Sequence, residues 1–282
     1  MDTISRRHFL KGLGAGAGGI ALSGLFVSRT VFAAQSAAKG AAADEADLVF
    51  HGHGFDPMIS HVITGESIGL ASAAGSALKL VSAPDAPEKV SKSLAPGAKV
   101  SLSFNKPGLY LLYDETTTRF DAKVGQVVAR KSAKQFPLPA YTVVLVTDRY
   151  GDGLKPTDGR ISIPDSYMTF EPWVTVVHAG DPINFTNNDM DMHVVMPSPE
   201  PMLMPKSSGS EALWQERMNS FAPLTLPGGG GTGVLTLAQP GLHHYYCPVH
   251  AAYSSTAYTF YPLKSYGGYP YIMDGVIVVL PS

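Results

Sequence analysis

Short apolar runs separated by glycine- and proline-rich turns make up most of this chain of 282 residues. Residues 234–237 and 276–280 are typical of these runs, and the chain contains 29 glycines and 22 prolines in all. Short β-branched runs bounded by such turns predict β-strands. We therefore predict an all-β chain of many strands. The one exception is a short helix at residues 208–217, where Ser208 and Glu211 match a capping box.

Three short segments of the first half recur, in the same order, in the second half. The segments 55–57 and 65–68 recur at 170–172 and 180–183 with one common shift in numbering, whereas the segment 107–113 recurs at 240–246 with a larger shift. The larger shift places additional residues in the second copy, between about Met196 and Phe221. An internal repeat of this kind predicts two copies of one fold in tandem.

The repeat and the N-terminus together divide the chain into three parts. We predict a signal peptide at residues 1–33 and two β-sandwich domains at residues 45–130 and 140–282. The formal net charge is −2 and only 16% of the residues are charged, so the composition gives no indication of binding to nucleic acid or to an anionic membrane. The oligomeric state stays open, and a homo-oligomer is one alternative.

The first residues carry the pattern of an exported protein. Residues 5–11, Ser-Arg-Arg-His-Phe-Leu-Lys, resemble a twin-arginine export motif, and residues 12–27 are weakly apolar and rich in glycine and alanine. This region is too short and too small-sided for a stable membrane span, and the small residues up to Ala33 offer a cleavage site. We therefore expect a periplasmic protein, exported by the twin-arginine pathway, with no membrane span in the mature chain.

The candidate chemistry centres on Cys247, the only cysteine of the chain. Cysteines of exported proteins usually pair, and an unpaired thiol is protected if it binds a metal. His250 follows Cys247 at Cys-x-x-His spacing, His193 lies upstream, and Met273 lies downstream. One thiolate, two imidazoles and one thioether are the donor set of a type 1 copper site, with the methionine as the weak axial ligand.

The residues around Cys247 also resemble a known family. Pro240-Gly241, then Tyr245-Tyr246-Cys247-Pro248-Val249-His250, then Met273-Asp274-Gly275 are similar to the pattern of the cupredoxin, or blue copper, family. The resemblance implies two Greek-key β-sandwiches, with one copper bound in the second by His193, Cys247, His250 and Met273. It also implies one-electron transfer to or from a periplasmic redox protein.

Two other functions stay open. One is a copper-dependent oxidoreductase, similar to a multicopper oxidase or a nitrite reductase, with a second copper at a subunit interface. His51-Gly52-His53-Gly54 resembles the first His-x-His-Gly motif of the multicopper oxidases. In both enzyme classes, however, a histidine stands before the copper-binding cysteine, where this chain has Tyr246.

The other alternative is copper storage or delivery through methionines near His193. Filling of an adaptable core is the simpler interpretation of these methionines. His243 and His244, on the strand before Cys247, are further metal-binding candidates, one of which could face a subunit interface. The methionines are Met190, Met192, Met196, Met202 and Met204.

The repeat predicts that the first copy lacks the metal. Aligned through the repeat, His193 falls on Leu78, Cys247 on Asp114 and His250 on Thr117. With a further gap, Met273 falls on Lys123. None of these four residues is a type 1 copper ligand, so we expect the first copy to keep the fold without copper.

Residues 251–272, which contain six tyrosines, lie between His250 and Met273, where small cupredoxins have only a few residues. We interpret them as an insert, and this interpretation leaves the axial ligand open. A residue of the insert or a backbone carbonyl beside His193 are the alternatives to Met273. We expect the insert to be ordered and to form a partner-binding or subunit-binding surface beside His250.

Overall fold

Every regular element that the computed structural model describes is a β-strand, which confirms the all-β prediction. The described residues are 46–130, 138–148, 153–165, 167–198, 221–263 and 271–282, and all of them belong to one compact unit. The helix expected at residues 208–217 lies outside these residues.

The first half has three sheets, with the strand orders β2-β1-β4-β7, β3-β11-β8-β5-β6 and β10-β9. The five-stranded sheet contains both long strands of this half, β8 and β11. The strands are β1 (Leu48–Phe50), β2 (Phe55–Asp56), β3 (Ile59–Ile63), β4 (Ser67–Ser72), β5 (Leu78–Ser82), β6 (Ser91–Leu94), β7 (Lys99–Ser103), β8 (Gly108–Asp114), β9 (Thr118–Asp121), β10 (Gln126–Ala129) and β11 (Tyr141–Thr147).

The second half also has three sheets, with the orders β12-β14-β17, β13-β21-β18-β15-β16 and β19-β20. Its five-stranded sheet has the same strand order as that of the first half. The strands are β12 (Arg160–Ile163), β13 (Val174–His178), β14 (Pro182–Asn187), β15 (His193–Pro197), β16 (Leu224–Leu226), β17 (Gly231–Thr236), β18 (Gly241–Tyr246), β19 (Ala251–Ser254), β20 (Thr259–Pro262) and β21 (Asp274–Leu280).

The two halves repeat each other strand by strand. The smaller shift in numbering, which takes residue 55 to residue 170, relates β3, β4 and β5 to β13, β14 and β15. The larger shift, which takes residue 107 to residue 240, relates the strands β6 to β11, one by one and in order, to the strands β16 to β21. The additional residues therefore lie between β15 and β16, where the sequence placed them.

Strand β11 lies within the range predicted for the second domain, which begins at residue 140. It pairs in parallel with β3 and antiparallel with β8, so it completes the five-stranded sheet of the first half. From this pairing we infer that the second half begins only after Thr147. Sequence similarity could not indicate this, because β11 and its counterpart β21 are both plain apolar runs.

The structure also corrects the alignment of Met273 with Lys123. The hairpin β19–β20 is the counterpart of the hairpin β9–β10, so residues 251–262 are not additional to the second copy. The larger shift in numbering continues unchanged to β21, and the counterpart of Met273 is Ala140. The gap after His250 was therefore unnecessary, because both copies carry a hairpin at this point.

In each five-stranded sheet the two long strands, β8 and β11 or β18 and β21, are buried on both faces, which explains their mainly apolar sequences. In β8, Tyr110 and Leu112 point into the core of the first half, whereas Leu109 and Leu111 point into a cluster that residues of both halves share. We call this shared cluster the junction. Successive residues of a strand point to opposite faces, so each long strand contributes side chains both to the core of its own half and to the junction.

Each hairpin reaches from its own half to the other. The tip of β19–β20 lies against the loop after β1, where the rings of His51 and Tyr258 stack with centroids 4.1 Å apart. Gly54 packs so closely that a Cβ atom there would clash with the carbonyl oxygens of Ala257 and Tyr258. The absence of a side chain at Gly54 thus lets the two halves close together.

We expect Gly54→Ala to destabilise the protein by about 2 kcal/mol or more, because the clash involves backbone atoms that cannot move independently. Gly75→Ala is the matched control, because a Cβ atom there meets no atom within 4 Å. Its effect should stay within about 0.5 kcal/mol. Chemical denaturation measures both, and equal stabilities would contradict the close contact at Gly54.

Candidate metal centre

Three predicted metal ligands converge at one end of the second half. His193 is the first residue of β15, Cys247 directly follows β18, and His250 directly precedes β19. The Nδ1 atoms of the two histidines are 3.1 Å apart, and Cys247 Sγ lies 3.9 Å from that of His193 and 3.5 Å from that of His250. Both His193 and Cys247 are fully buried, and His250 is 4% exposed.

These separations suit a metal bound in the plane of the three atoms. Zinc binds imidazole nitrogen at about 2.0 Å and thiolate sulfur at about 2.3 Å. With similar bonds, a trigonal arrangement would separate the two nitrogens by about 3.5 Å and each nitrogen from sulfur by about 3.7 Å. The two nitrogen–sulfur distances lie on either side of the ideal value, and the nitrogen–nitrogen distance is about 0.4 Å shorter than its ideal value, so small side-chain shifts would let the three donors hold a trigonal metal.

A hydrogen bond orients the ring of His193. Its Nε2 atom donates to Asp189 Oδ2 at 3.0 Å, and Asp189 is itself nearly buried. A proton on Nε2 leaves the lone pair of Nδ1 directed at the cluster. Carboxylates commonly orient metal-binding histidines in this way.

Asn187 holds the loop that carries Asp189. Its side-chain oxygen accepts a hydrogen bond from the backbone N–H of Asp189 at 3.0 Å. Its amide nitrogen donates to the carbonyl of Asp191 within the loop and to that of Leu226 on β16. The loop is therefore tied to the sheet, and the position of Asp189 is fixed.

Two backbone contacts fix Cys247. Its Sγ atom accepts a hydrogen bond from the N–H of Val194 at 3.4 Å, and its own N–H donates to the carbonyl of Met273 at 2.9 Å. The side chain of Met273 is fully buried in the same apolar cluster as Cys247. Axial ligation by its sulfur remains a prediction.

Burial keeps the histidines neutral. It lowers the pKa of His250 to about 4, helped by the positive charge that His193 would carry, and it lowers the pKa of His193 against the opposing effect of Asp189. Burial raises the pKa of the Cys247 thiol, partly offset by nearby backbone N–H groups. Neutral imidazoles are ready to bind a metal, and binding would displace the thiol proton.

The equivalent position in the first half is occupied by a different polar group. Asp114 replaces Cys247, and its Oδ1 atom accepts from the N–H of Lys79 at 3.2 Å, the counterpart of the N–H of Val194. The hydroxyls of Thr116 and Thr117 donate to its other oxygen at 2.5 and 2.8 Å. The carboxylate is satisfied by hydrogen bonds alone, and this half offers no histidine or cysteine there.

The other histidine candidates do not join the metal centre. His51 is half-buried against Tyr258, His53 is exposed, and His243 and His244 are buried in the second half. Within the described part of the chain, His193, Cys247 and His250 are the one group of three or more His, Cys, Asp and Glu side chains whose ligand atoms converge.

The described methionines near His193 differ in their exposure. Met190 and Met192, in the loop before His193, are 79% and 52% exposed, so core filling is wrong for both. Met196 is half-buried on β15. Met202 and Met204 lie outside the described residues.

The N-terminus matches the family model "TAT (twin-arginine translocation) pathway signal sequence" over residues 3–23. This confirms the predicted signal for export by the twin-arginine pathway and the periplasmic localisation that follows from it. In the described part of the chain, no helix is long and apolar enough to cross a membrane.

Several solved structures are similar to part of the chain. A purple cupredoxin from Nitrosopumilus maritimus has 15% identity and a TM-score of 0.25, over 43% of this chain and 99% of that one. Amicyanin from Paracoccus versutus has 15% identity and a TM-score of 0.25, over 44% and 84%. A mutant plastocyanin of a fern has 20% identity and a TM-score of 0.25, over 43% and 98%. No curated protein matches.

The metal-free protein should lose stability as the pH falls. His250 and the buried His61 both have a pKa near 4 in the folded state, against about 6.5 when unfolded. Between these values the unfolded chain binds more protons, so stability decreases from pH 6.5 to pH 4 by on the order of 1 kcal/mol per pH unit per histidine. Denaturation of metal-free protein at several pH values measures the slope. The slope should be shallower for His250→Gln, and equal slopes would contradict the burial of a neutral His250.

Proposed function

We propose that this chain is a periplasmic copper protein of the cupredoxin type that transfers one electron at a time between redox partners. One type 1 copper is bound by His193, Cys247 and His250, with Met273 as the axial ligand. The two halves are two cupredoxin-like sandwiches, and the first carries no copper. The twin-arginine export signal and the three converging donor side chains support this proposal.

The main support for the proposal is the convergence of one soft sulfur donor, from Cys247, and two imidazole nitrogens, from His193 and His250. Thiolate sulfur suits monovalent copper, and imidazole nitrogen also suits the divalent ion, so one fixed geometry serves both oxidation states. The three residues are buried, and their donor atoms are already close to trigonal spacing. With Met273 as a fourth ligand the metal would have no open coordination position, which would favour electron transfer over chemistry on a bound substrate.

When bound, copper supplies a one-electron redox couple. The protein keeps the ligand geometry fixed, so that little rearrangement accompanies each electron. Asp189 orients His193, the N–H of Val194 donates to Cys247, and the apolar side chains around Cys247 exclude water. Hydrogen bonds to the sulfur and an apolar surrounding tune the redox potential of such sites.

Copper delivery is a second candidate, favoured by the exposure of Met190 and Met192 beside His193. Thioethers select monovalent copper, and exposed methionines can exchange it. An oxidoreductase is less well supported. A surface pocket of ≈ 490 Å³ exists near Trp173 and Lys123, but no candidate copper ligand lines it.

Titration with copper should load one ion per chain and produce an intense visible band from charge transfer between thiolate and copper. Cys247→Ser removes the soft donor and should abolish the band while the far-ultraviolet circular dichroism stays unchanged. His53→Gln, at an exposed histidine outside the group, is the control and should retain the full band. Colour in Cys247→Ser, or two ions per chain in the wild type, would contradict the proposal. Rapidly exchanging, colourless monovalent copper would favour delivery.

Met273→Leu tests the axial ligand separately. Loss of the thioether should leave one copper bound and coloured but raise the redox potential, because a weak donor to the divalent ion is removed. The paramagnetic resonance spectrum should change in parallel. An unchanged spectrum and potential would assign the axial position to another group.

A further inference from the structure

A buried carboxylate lies between the candidate metal centre and the junction. Asp274 is the first residue of β21, directly after Met273, and is 2% exposed. It accepts hydrogen bonds from the hydroxyl of Tyr141 at 2.6 Å, from Nε1 of Trp173 at 2.9 Å and from Nε2 of His244 at 3.0 Å. Three donors from three separate segments therefore meet at one side chain.

The donors define the state of the carboxylate. An ionised carboxylate only accepts hydrogen bonds, and each of the three partners can donate to it. Burial and the charge of Asp274 hold the pKa of Tyr141 well above its usual range, so its hydroxyl keeps its proton. His244 is held in turn by a hydrogen bond with the hydroxyl of Ser198.

Tyr141 and Asp274 occupy equivalent positions in the two halves, since they are the first residues of the equivalent strands β11 and β21. They therefore face each other where the repeats meet. Two aspartates at such a point would repel each other, whereas a phenol and a carboxylate pair well.

The polar partners are unevenly distributed between the halves. The counterparts of Trp173 and His244 in the first half are the apolar Met58 and Leu111, both in the junction. Hydrogen-bonding side chains are thus gathered around the carboxylate that belongs to the half with the candidate metal centre. Packing alone does not call for this asymmetry, because buried polar groups cost free energy unless they are satisfied.

A short path of one peptide bond and one hydrogen bond leads from Asp274 to Cys247. Asp274 is bonded to Met273, whose carbonyl accepts the hydrogen bond from the N–H of Cys247 at 2.9 Å. The direction of the Met273 carbonyl depends on the peptide that Asp274 shares with it. A side chain that holds Asp274 therefore also holds Met273 and Cys247.

We propose that Tyr141 is a positioning residue, through which the copper-free first half sets the geometry and the redox potential of the metal centre in the second. The inference rests on the proposed function as far as the metal is concerned. Its structural part, the restraint on Cys247, holds in the metal-free protein as well. The first half thus contributes to the electronic properties of the centre without contributing a ligand.

Tyr141→Phe in the full chain tests the proposal, because it removes only the hydroxyl. Tyr110→Phe is the matched control, since the Tyr110 side chain is equally buried in the core of the first half and its hydroxyl donates to the carbonyl of Lys106 at 2.9 Å. Both variants should lose stability, and Tyr141→Phe should lose more because it leaves a buried carboxylate short of one donor. Only Tyr141→Phe should shift the potential and the paramagnetic resonance spectrum of the copper protein.

In the metal-free protein, hydrogen exchange of the Cys247 amide should be about five-fold faster in Tyr141→Phe than in Tyr110→Phe, as expected for one lost hydrogen bond. If Tyr141→Phe fails to fold, Trp173→Phe removes another donor to Asp274 and should change the same readouts in the same sense.

The outcomes separate the inference from the proposed function. If the wild type forms no copper centre, the proposed function fails, and the exchange rate of the Cys247 amide decides the inference alone. If the wild type forms the centre but Tyr141→Phe matches Tyr110→Phe in spectrum, potential and exchange rate, the inference is overturned.

Discussion

The hydrogen bond from the N–H of Cys247 to the carbonyl of Met273 joins the end of β18 to the start of β21, and the rest of the site depends on it. It extends the antiparallel pairing of these strands by one step and so fixes the sulfur at the end of two strands that are buried on both faces. From this position the sulfur meets His193 on the adjacent strand and His250 on the following turn. The same bond joins Asp114 to Ala140 in the first half.

The two halves show how one backbone frame supports two different polar centres. A carboxylate at Asp114 needs several hydrogen-bond donors, and the threonines beside it supply them. The thiol sulfur of Cys247 is a weak hydrogen-bond acceptor, and the two imidazoles beside it suit a metal instead. In its described residues, the first half forms the same sheets without a comparable group of donors, so this backbone frame can form without a metal.

Much of the candidate site could be predicted from the sequence, because its donors are rare residue types. Cys247 is unique in the chain, and the spacing to His250 is local, so the turn after β18 suffices to bring them together. The role of Asp189 was not predicted, because it depends on the ring orientation of His193. The alignment of Met273 with Lys123 failed because the hairpins β9–β10 and β19–β20 share a fold but few residues. The contacts of Asp274 join segments that lie far apart in sequence, and no local pattern indicates them.

In the proposed centre, His193, Cys247 and His250 bind one copper in a trigonal arrangement within the second half. Anomalous diffraction at the copper edge, from crystals of the copper-loaded full chain, would locate this ion. We expect one anomalous peak per chain, within bonding distance of Cys247 Sγ and of Nδ1 of both His193 and His250, and no peak near Asp114. A peak at His51 and His53, or a peak that Cys247 does not contact, would contradict the proposed centre.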